Sequence, residues 1–338
     1  MSLRALEFLI PGDLQAGTGG YVYDRRLIEG LRALGWKVAV HALDASFPEP
    51  TAAALDQANH VLARLADQAL VLIDGLALSA MPAVAHAHAA RLALVGLMHR
   101  PLGSEAERQA LRSARHIVVT GRASQATLCA SGVIAERISL VEPGTDPAPL
   151  ARPGSSEQMR LLCVATVTPD KGHELLIEAL APLAPLRWHL TCVGSLTRGP
   201  AAVQRLHACL QRTGLTGRVT LVGEVPAAEV SRFYQDADLF VLATRAESYG
   251  MAVAEAVAHG LPVISTRTGA IPEVVGHAGR LVMPGDGKAL QQALALAIGD
   301  PRQRAAWARG ALSARARLSD WPGACGRMAR VLEAVAPD

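Results

Sequence analysis

Aromatic residues are scarce in this chain: four Phe, four Tyr and four Trp among 338 residues, or 4%. A groove that stacks on bases or on a long glycan needs aromatic platforms, and they are not interleaved here with basic clusters, so a nucleic-acid polymer is not the expected partner. Charge is also thin, at 19% of residues, and nearly balanced, with 33 Lys and Arg against 30 Asp and Glu. The five cysteines, Cys129, Cys163, Cys192, Cys209 and Cys325, show no metal-ligand spacing and read as inert thiols. No apolar run is long enough to span a bilayer, and the opening MSLRALEFLIPGD is too short in its apolar part for a signal peptide. A cytoplasmic protein is expected, with peripheral contact to a membrane surface left open.

What is present is apolar mass. Half of the residues are hydrophobic, enough to bury large cores, and the length suits about two domains of roughly 150 residues each. Short apolar runs alternate with Ala/Leu-rich stretches of helical period, the pattern of parallel strands joined by crossover helices. Strands are expected at 4–10, 37–43, 69–74, 92–97, 116–119 and 137–141, then at 160–165, 188–194, 218–222, 239–243, 262–265 and 280–282. Between the two series, residues 142–157 are rich in Pro, Gly and Ser and read as a hinge. The expected class is α/β: two Rossmann-like parallel-sheet domains facing across a cleft, with domains at 1–145 and 146–310. A helical tail, 311–338, broken at Trp321-Pro322-Gly323, is expected to pack back on the first domain. In open parallel sheets ligands sit beyond the carboxyl ends of the strands, so chemistry belongs in strand-to-helix loops.

The richest such loop lies in LFVLATRAESYGMAVAEAVAHGLPVISTRTGAIPEVV, residues 239–275. Glu247 closes the loop, Ser248 is suited to cap, and Tyr249-Gly250-Met251 opens a helix whose free N–H groups favour a diphosphate. Glu255 follows eight residues after Glu247, and an ionised carboxylate accepts hydrogen bonds from paired hydroxyls. An isolated Glu pair is usually a solvated loop residue and a polar point on a helix. This pair, however, is followed by Gly260-Leu261-Pro262-Val263 and by Gly269-Ala270-Ile271-Pro272-Glu273-Val274.

That succession resembles the nucleotide-sugar signature of the retaining glycosyltransferases of family 4, of the GT-B fold (glycosyltransferase group 1). The resemblance implies that Glu247 contacts sugar hydroxyls, that Glu255 grips the nucleotide ribose, and that Ser248, Tyr249, Gly250 and Met251 present amides to the diphosphate. It implies a nucleotide-diphosphate sugar as donor, an acceptor hydroxyl, a hexosyl transfer with retention, and no cofactor or metal. A small-molecule acceptor is the mild preference.

Three further stations carry candidate residues. In LLCVATVTPDKGHELLIEAL, Lys171 stands where an ammonium neutralises a leaving phosphate, although a helix-start lysine is more often only solvated. The family has Gly-Arg in that strand-exit loop, where this chain has Ala165-Thr166, so one of two cations is replaced by a neutral donor. In GDLQAGTGGYVYDRR, Gly17, Gly19 and Gly20 permit close approach to an anion or sugar without matching the dinucleotide spacing. In LALVGLMHRPLG, His99 ends a strand, and the related transferases place a His there near the reacting sugar. His86 and His88 read as a surface pair, and His41, His116, His173 and His189 fall in no constellation.

The expected catalytic residues are therefore Glu247, His99 and Lys171. The expected donor-binding residues are Gly17, Gly19, Gly20, Thr166, Lys171, Ser248, Tyr249, Gly250, Met251 and Glu255, with no metal ligand. Three alternatives stay open from sequence: a catalytically silent sugar-nucleotide sensor, favoured by Thr166; an epimerase or hydrolase of the same fold; and a dehydrogenase using Asp44 after the second strand.

Overall fold

Each short apolar run becomes a strand because it is bounded by turn residues and flanked by helices able to cover it. A computed structural model describes residues 4–152 and 158–337; the last five residues of the expected hinge lie outside these. The chain divides into two compact units, residues 1–144 with 319–338, and residues 145–318.

The first unit holds β1 (Ala5–Pro11), β2 (Lys37–Leu43), β3 (Leu70–Asp74), β4 (Ala93–Met98), β5 (His116–Val119) and β6 (Ile138–Leu140), in the order β2-β1-β3-β4-β5-β6. Every pairing is parallel. The strands β3 and β4 are buried at every residue, as continuous apolar runs covered on both faces must be. The edge strand β2 alternates between covered and exposed positions instead.

The second unit holds β7 (Met159–Val164), β8 (Trp188–Val193), β9 (Val219–Gly223), β10 (Leu239–Leu242), β11 (Val263–Thr266) and β12 (Gly279–Val282). Their order is β12-β11-β10-β7-β8-β9, again all parallel. All twelve expected strands form, with ends displaced by a residue or two. In each sheet the order reverses once, beside β1 in the first and between β7 and β10 in the second, and the crevice beyond the strand ends at such a point is where ligands bind.

The helix spanning residue 310, Pro301–Arg315, belongs whole to the second unit, where Ala311 and Ala314 enter the core. The helix that joins the first unit is Trp321–Val335, with Pro322 in its first turn and Asp320 accepting from the Gly323 amide at 2.8 Å. It lies on helix Gly19–Ala33 so closely that a methyl group on Gly30 would meet Cys325 Sγ at 2.2 Å. Among the described residues no helix is long and apolar enough to cross a membrane.

Candidate functional site

In the second unit the loops leaving β7 and β10 are zipped together at the reversal point. The Asp170 carbonyl accepts from the Arg245 amide at 2.6 Å and from Thr244 Oγ1 at 3.1 Å. This fastening brings Lys171 Nζ onto Glu247 Oε1 in a half-buried ion pair, joining residues 76 apart in sequence. Gly172 makes the approach feasible. Its φ is +70°, and a Cβ there would fall 2.0 Å from the Ala243 carbonyl oxygen. Substituting Gly172→Ala would combine left-handed strain with a backbone clash; we expect a loss of about 2–4 kcal/mol in urea unfolding, together with loss of nucleotide binding because Lys171 is displaced.

Three residues past Glu247, Gly250 turns the chain at φ +88° and caps helix Met251–Ala258 without any side-chain hydrogen bond. Among the described residues no side chain is recorded capping this first turn, and uncapped first-turn amides suit an anion. Ser248, expected to cap, does not: the helix starts two residues later, and its carbonyl instead accepts from the Ala270 amide at 3.0 Å. That bond ties the loop to the Gly269–Val274 segment. A Cβ on Gly269 would strike the Glu247 and Ser248 carbonyls at 2.3 and 2.6 Å. The Tyr249 side chain is buried in the core, and Met251 is half-buried. Thr166, half-buried, is the second residue past β7.

Glu255, one turn into the helix, is half-buried and accepts from the Tyr234 hydroxyl at 3.0 Å. Burial pushes its pKa up to about 7, the Tyr234 hydrogen bond opposes the rise and the charge of Asp146 adds to it. Beneath the same loop the structure assembles a group that sequence spacing does not show. Cys163 and Cys192 are partners on β7 and β8, and Cys163 Sγ lies 3.8 Å from His173 Nε2, all three buried.

In the first unit, Gly17 and Gly19 are exposed in the loop after β1, and Gly19 starts helix Gly19–Ala33. A methyl group on Gly20 would touch His99 Cδ2 at 3.4 Å, so the bare backbone is what the ring lies against. His99 Nε2 faces Asp24 Oδ1 at 3.1 Å and Asp74 Oδ2 at 3.5 Å. Neither carboxylate was legible in the sequence, because the three residues come from different elements 25 to 75 positions apart. Burial alone would lower the His99 pKa, but the charge and hydrogen bond of Asp24 and the charge of Asp74 outweigh it and hold it raised.

Two expectations about other residues change. His88 is buried, with Nε2 2.8 Å from Asn59 Oδ1, so it braces two helices and is not one of a surface pair. Asp44 is exposed and turned back onto Ser46, whose amide donates to it at 2.8 Å, a local turn that holds its pKa low.

Residues 158–300 match the family described as Glycosyl transferases group 1. Over 155 residues the chain is 32% identical to the lipopolysaccharide core biosynthesis mannosyltransferase LpcC of Rhizobium leguminosarum bv. viciae, covering 44% of each chain. Over 302 residues it is 27% identical to a GDP-mannose-dependent alpha-(1-6)-phosphatidylinositol monomannoside mannosyltransferase of Mycolicibacterium smegmatis, covering 80% of this chain and 77% of that one. The matched stretch spans about half the length of several of these relatives, LpcC among them. The chain is similar in fold to sucrose-phosphate synthase from Thermosynechococcus elongatus, with a TM-score of 0.82 at 20% identity over 98% and 99% of the two chains. Anabaena HepE, solved with UDP and glucose, matches at 0.78 and 21% identity over 98% and 99%. The two sheets thus make a GT-B fold.

Proposed function

We propose, from a second unit whose residues 158–300 are a Glycosyl transferases group 1 domain, that this protein transfers a glycosyl group from a nucleotide-diphosphate sugar to an acceptor hydroxyl, with retention and without a metal. The observation that carries this reading is the Lys171–Glu247 pair at the sheet's reversal point, beside a helix start left open by Gly250. As the anomeric bond lengthens, negative charge grows on the departing diphosphate. Preorganised donors aimed at that charge lower the barrier more than they favour the ground state.

In this reading the first-turn amides and Lys171 take the diphosphate, Glu247 holds a sugar hydroxyl and orients Lys171, and Glu255 takes the ribose diol. His99 is assigned the transferring sugar. The leaving phosphate receives the acceptor proton on the face it departs from, which accounts for retention. Thr166 supplies a neutral donor where the family has Arg, so the diphosphate leans more heavily on Lys171. The donors named for relatives, GDP-mannose in one and UDP with glucose in another, make UDP- and GDP-hexoses the first to try. A small acceptor fits the scarcity of aromatic platforms, and the five free cysteines suit a reducing cytoplasm.

The test is nucleotide release from a panel of UDP-, GDP- and ADP-hexoses with and without candidate acceptors, followed by NMR of the product's anomeric coupling. Acceptor-dependent release with retained configuration supports the reading. Binding without turnover of any donor would instead favour a sensor, and an inverted product would remove the proposed route of the proton.

A further inference from the structure

The first unit contains two buried carboxylates, Asp24 and Asp74, that the proposed chemistry has not used. Asp24 is fully buried on helix Gly19–Ala33, and its Oδ1 receives the His99 ring, while its Oδ2 is buried with no hydrogen-bond partner. Asp74, at the end of β3, is also buried, and its Oδ1 is committed to the Leu76 amide at 2.8 Å, leaving Oδ2 turned toward His99. A fully buried carboxylate with one oxygen unsatisfied is expensive to keep, and a purely structural cap for a histidine would be satisfied more simply by a backbone carbonyl. Both acids converge on the same ring nitrogen. The opposite nitrogen, Nδ1, has no hydrogen-bond partner among the described residues, and the side chain is 21% exposed.

We propose that Asp24, braced by Asp74, is a positioning residue for His99: it engages Nε2–H, keeps the ring as an imidazolium in one orientation, and leaves Nδ1–H as a cationic donor for the substrate. The proposal rests on the transfer reading for what that donor serves, though not for the protonation state itself. The rest of the surroundings agrees. Tyr23 meets the ring edge-on at 5.3 Å and spends its hydroxyl on the Val141 carbonyl, so it does not compete for either nitrogen. Thr120, just past β5, and Ser124, on the helix after it, donate to the His99 carbonyl, which fixes the backbone from which the ring projects. Gly20, without a side chain, completes the wall. Arg100 is the neighbouring cation in sequence, and Arg327 acts on Tyr23 from the C-terminal helix. Among the described residues, the charges that act on the His99 ring are those of the two aspartates, both negative. Burial raises the Asp74 carboxyl, with the Asp24 charge adding to the rise and the His99 charge opposing it.

The test follows His99 by NMR in protein labelled with 13C-histidine, and donor turnover in parallel, for the wild type, Asp24→Asn, Asp24→Glu and Asp74→Asn. In the wild type His99 should titrate above the ordinary histidine range. Asp24→Asn should lower that pKa by at least one unit and reduce kcat at least tenfold at neutral pH, with activity recovering toward acid pH and KM for donor changing less than kcat. Asp74→Asn should produce a smaller shift in the same direction, and Asp24→Glu should restore part of the loss. A wild-type His99 that titrates below about 6.5, or one unmoved by Asp24→Asn, overturns the proposal even if Asp24→Asn proves unstable, because the first observation needs no variant. So does a micromolar Zn2+ or Mn2+ titration that shifts the His99 signals stoichiometrically, which would make the three residues a metal centre. If His99 titrates as expected while no donor turns over in the wild type, the protonation claim stands and the transfer reading fails.

Discussion

Replacing Lys171 with Met should lower turnover of the nucleotide-sugar donor about 100- to 1,000-fold, the usual effect of removing one donor from a site where charge develops. The expectation comes from placement: the ammonium is fixed by Glu247, by the loop bond to Asp170 and by the left-handed turn at Gly172. A fixed cation needs no reorganisation as charge moves onto the diphosphate. With Thr166 supplying no second cation, less remains to compensate than in a site with two. Glu247→Gln should cause a loss of similar size, and the double variant should be little worse than either single one, because the two side chains act as a unit. The variants should keep wild-type circular dichroism and urea midpoints within about 1 kcal/mol, since the pair is only half-buried. Near-wild-type turnover in both would mean that the anion sits elsewhere.

The second large effect concerns Glu255. Its carboxyl titrates near 7 in the folded protein, against 4.5 for the free group, because burial penalises the charge. Between those values the folded state holds a proton that the unfolded state has released. Stability of this unit is therefore highest below about pH 4.5 from this group's standpoint, falls as pH rises toward 7, and carries the full penalty above it. A difference of that size corresponds to about 3 kcal/mol. Glu255→Gln keeps the shape without the titration, so it should flatten the pH dependence and exceed the wild type in stability at pH 8 while matching it at pH 4.5. Urea unfolding at the two pH values reads this directly. A ribose diol donating to Glu255 should favour the ionised form, so donor affinity should rise through pH 7 in the wild type and not in Glu255→Gln. Parallel stability profiles for the two proteins would show that Glu255 is ionised and solvated in the folded state.

Much of this fold was readable residue by residue. β3 and β4 appear in the sequence as LVLID and ALVGLM, runs with no polar interruption, because central parallel strands are covered on both sides. That a helix opens near Tyr249-Gly250-Met251 was legible too, whereas its cap, Gly250 at φ +88°, was not. The error at Ser248 is local: a serine before a helix normally caps it, but here the Gly269 turn captures its carbonyl and delays the helix. What could not be read depends on strand order. Asp74 reaches His99 because β3 lies beside β4, and Asp24 reaches both because β1 pairs with β3 and its following helix returns across the strand ends. Cys163, Cys192 and His173 meet because β7 and β8 are neighbours in register. Local periodicity announces strands; it does not announce which strands become neighbours, and the buried polar contacts follow from the neighbours. His88 looked solvated for the same reason, since its partner Asn59 lies on a helix 29 residues earlier.

The most direct test is an amide chemical-shift titration of the 15N-labelled protein with UDP and GDP, read at Met251, Ala252 and Val253. Saturable shifts of these three amides by at least one diphosphate, absent with the matching nucleoside and weakened at least tenfold in Lys171→Met, are what a diphosphate seated on this helix start predicts. Amides that stay in place while nucleotide binds, or that move equally with the nucleoside, would contradict it.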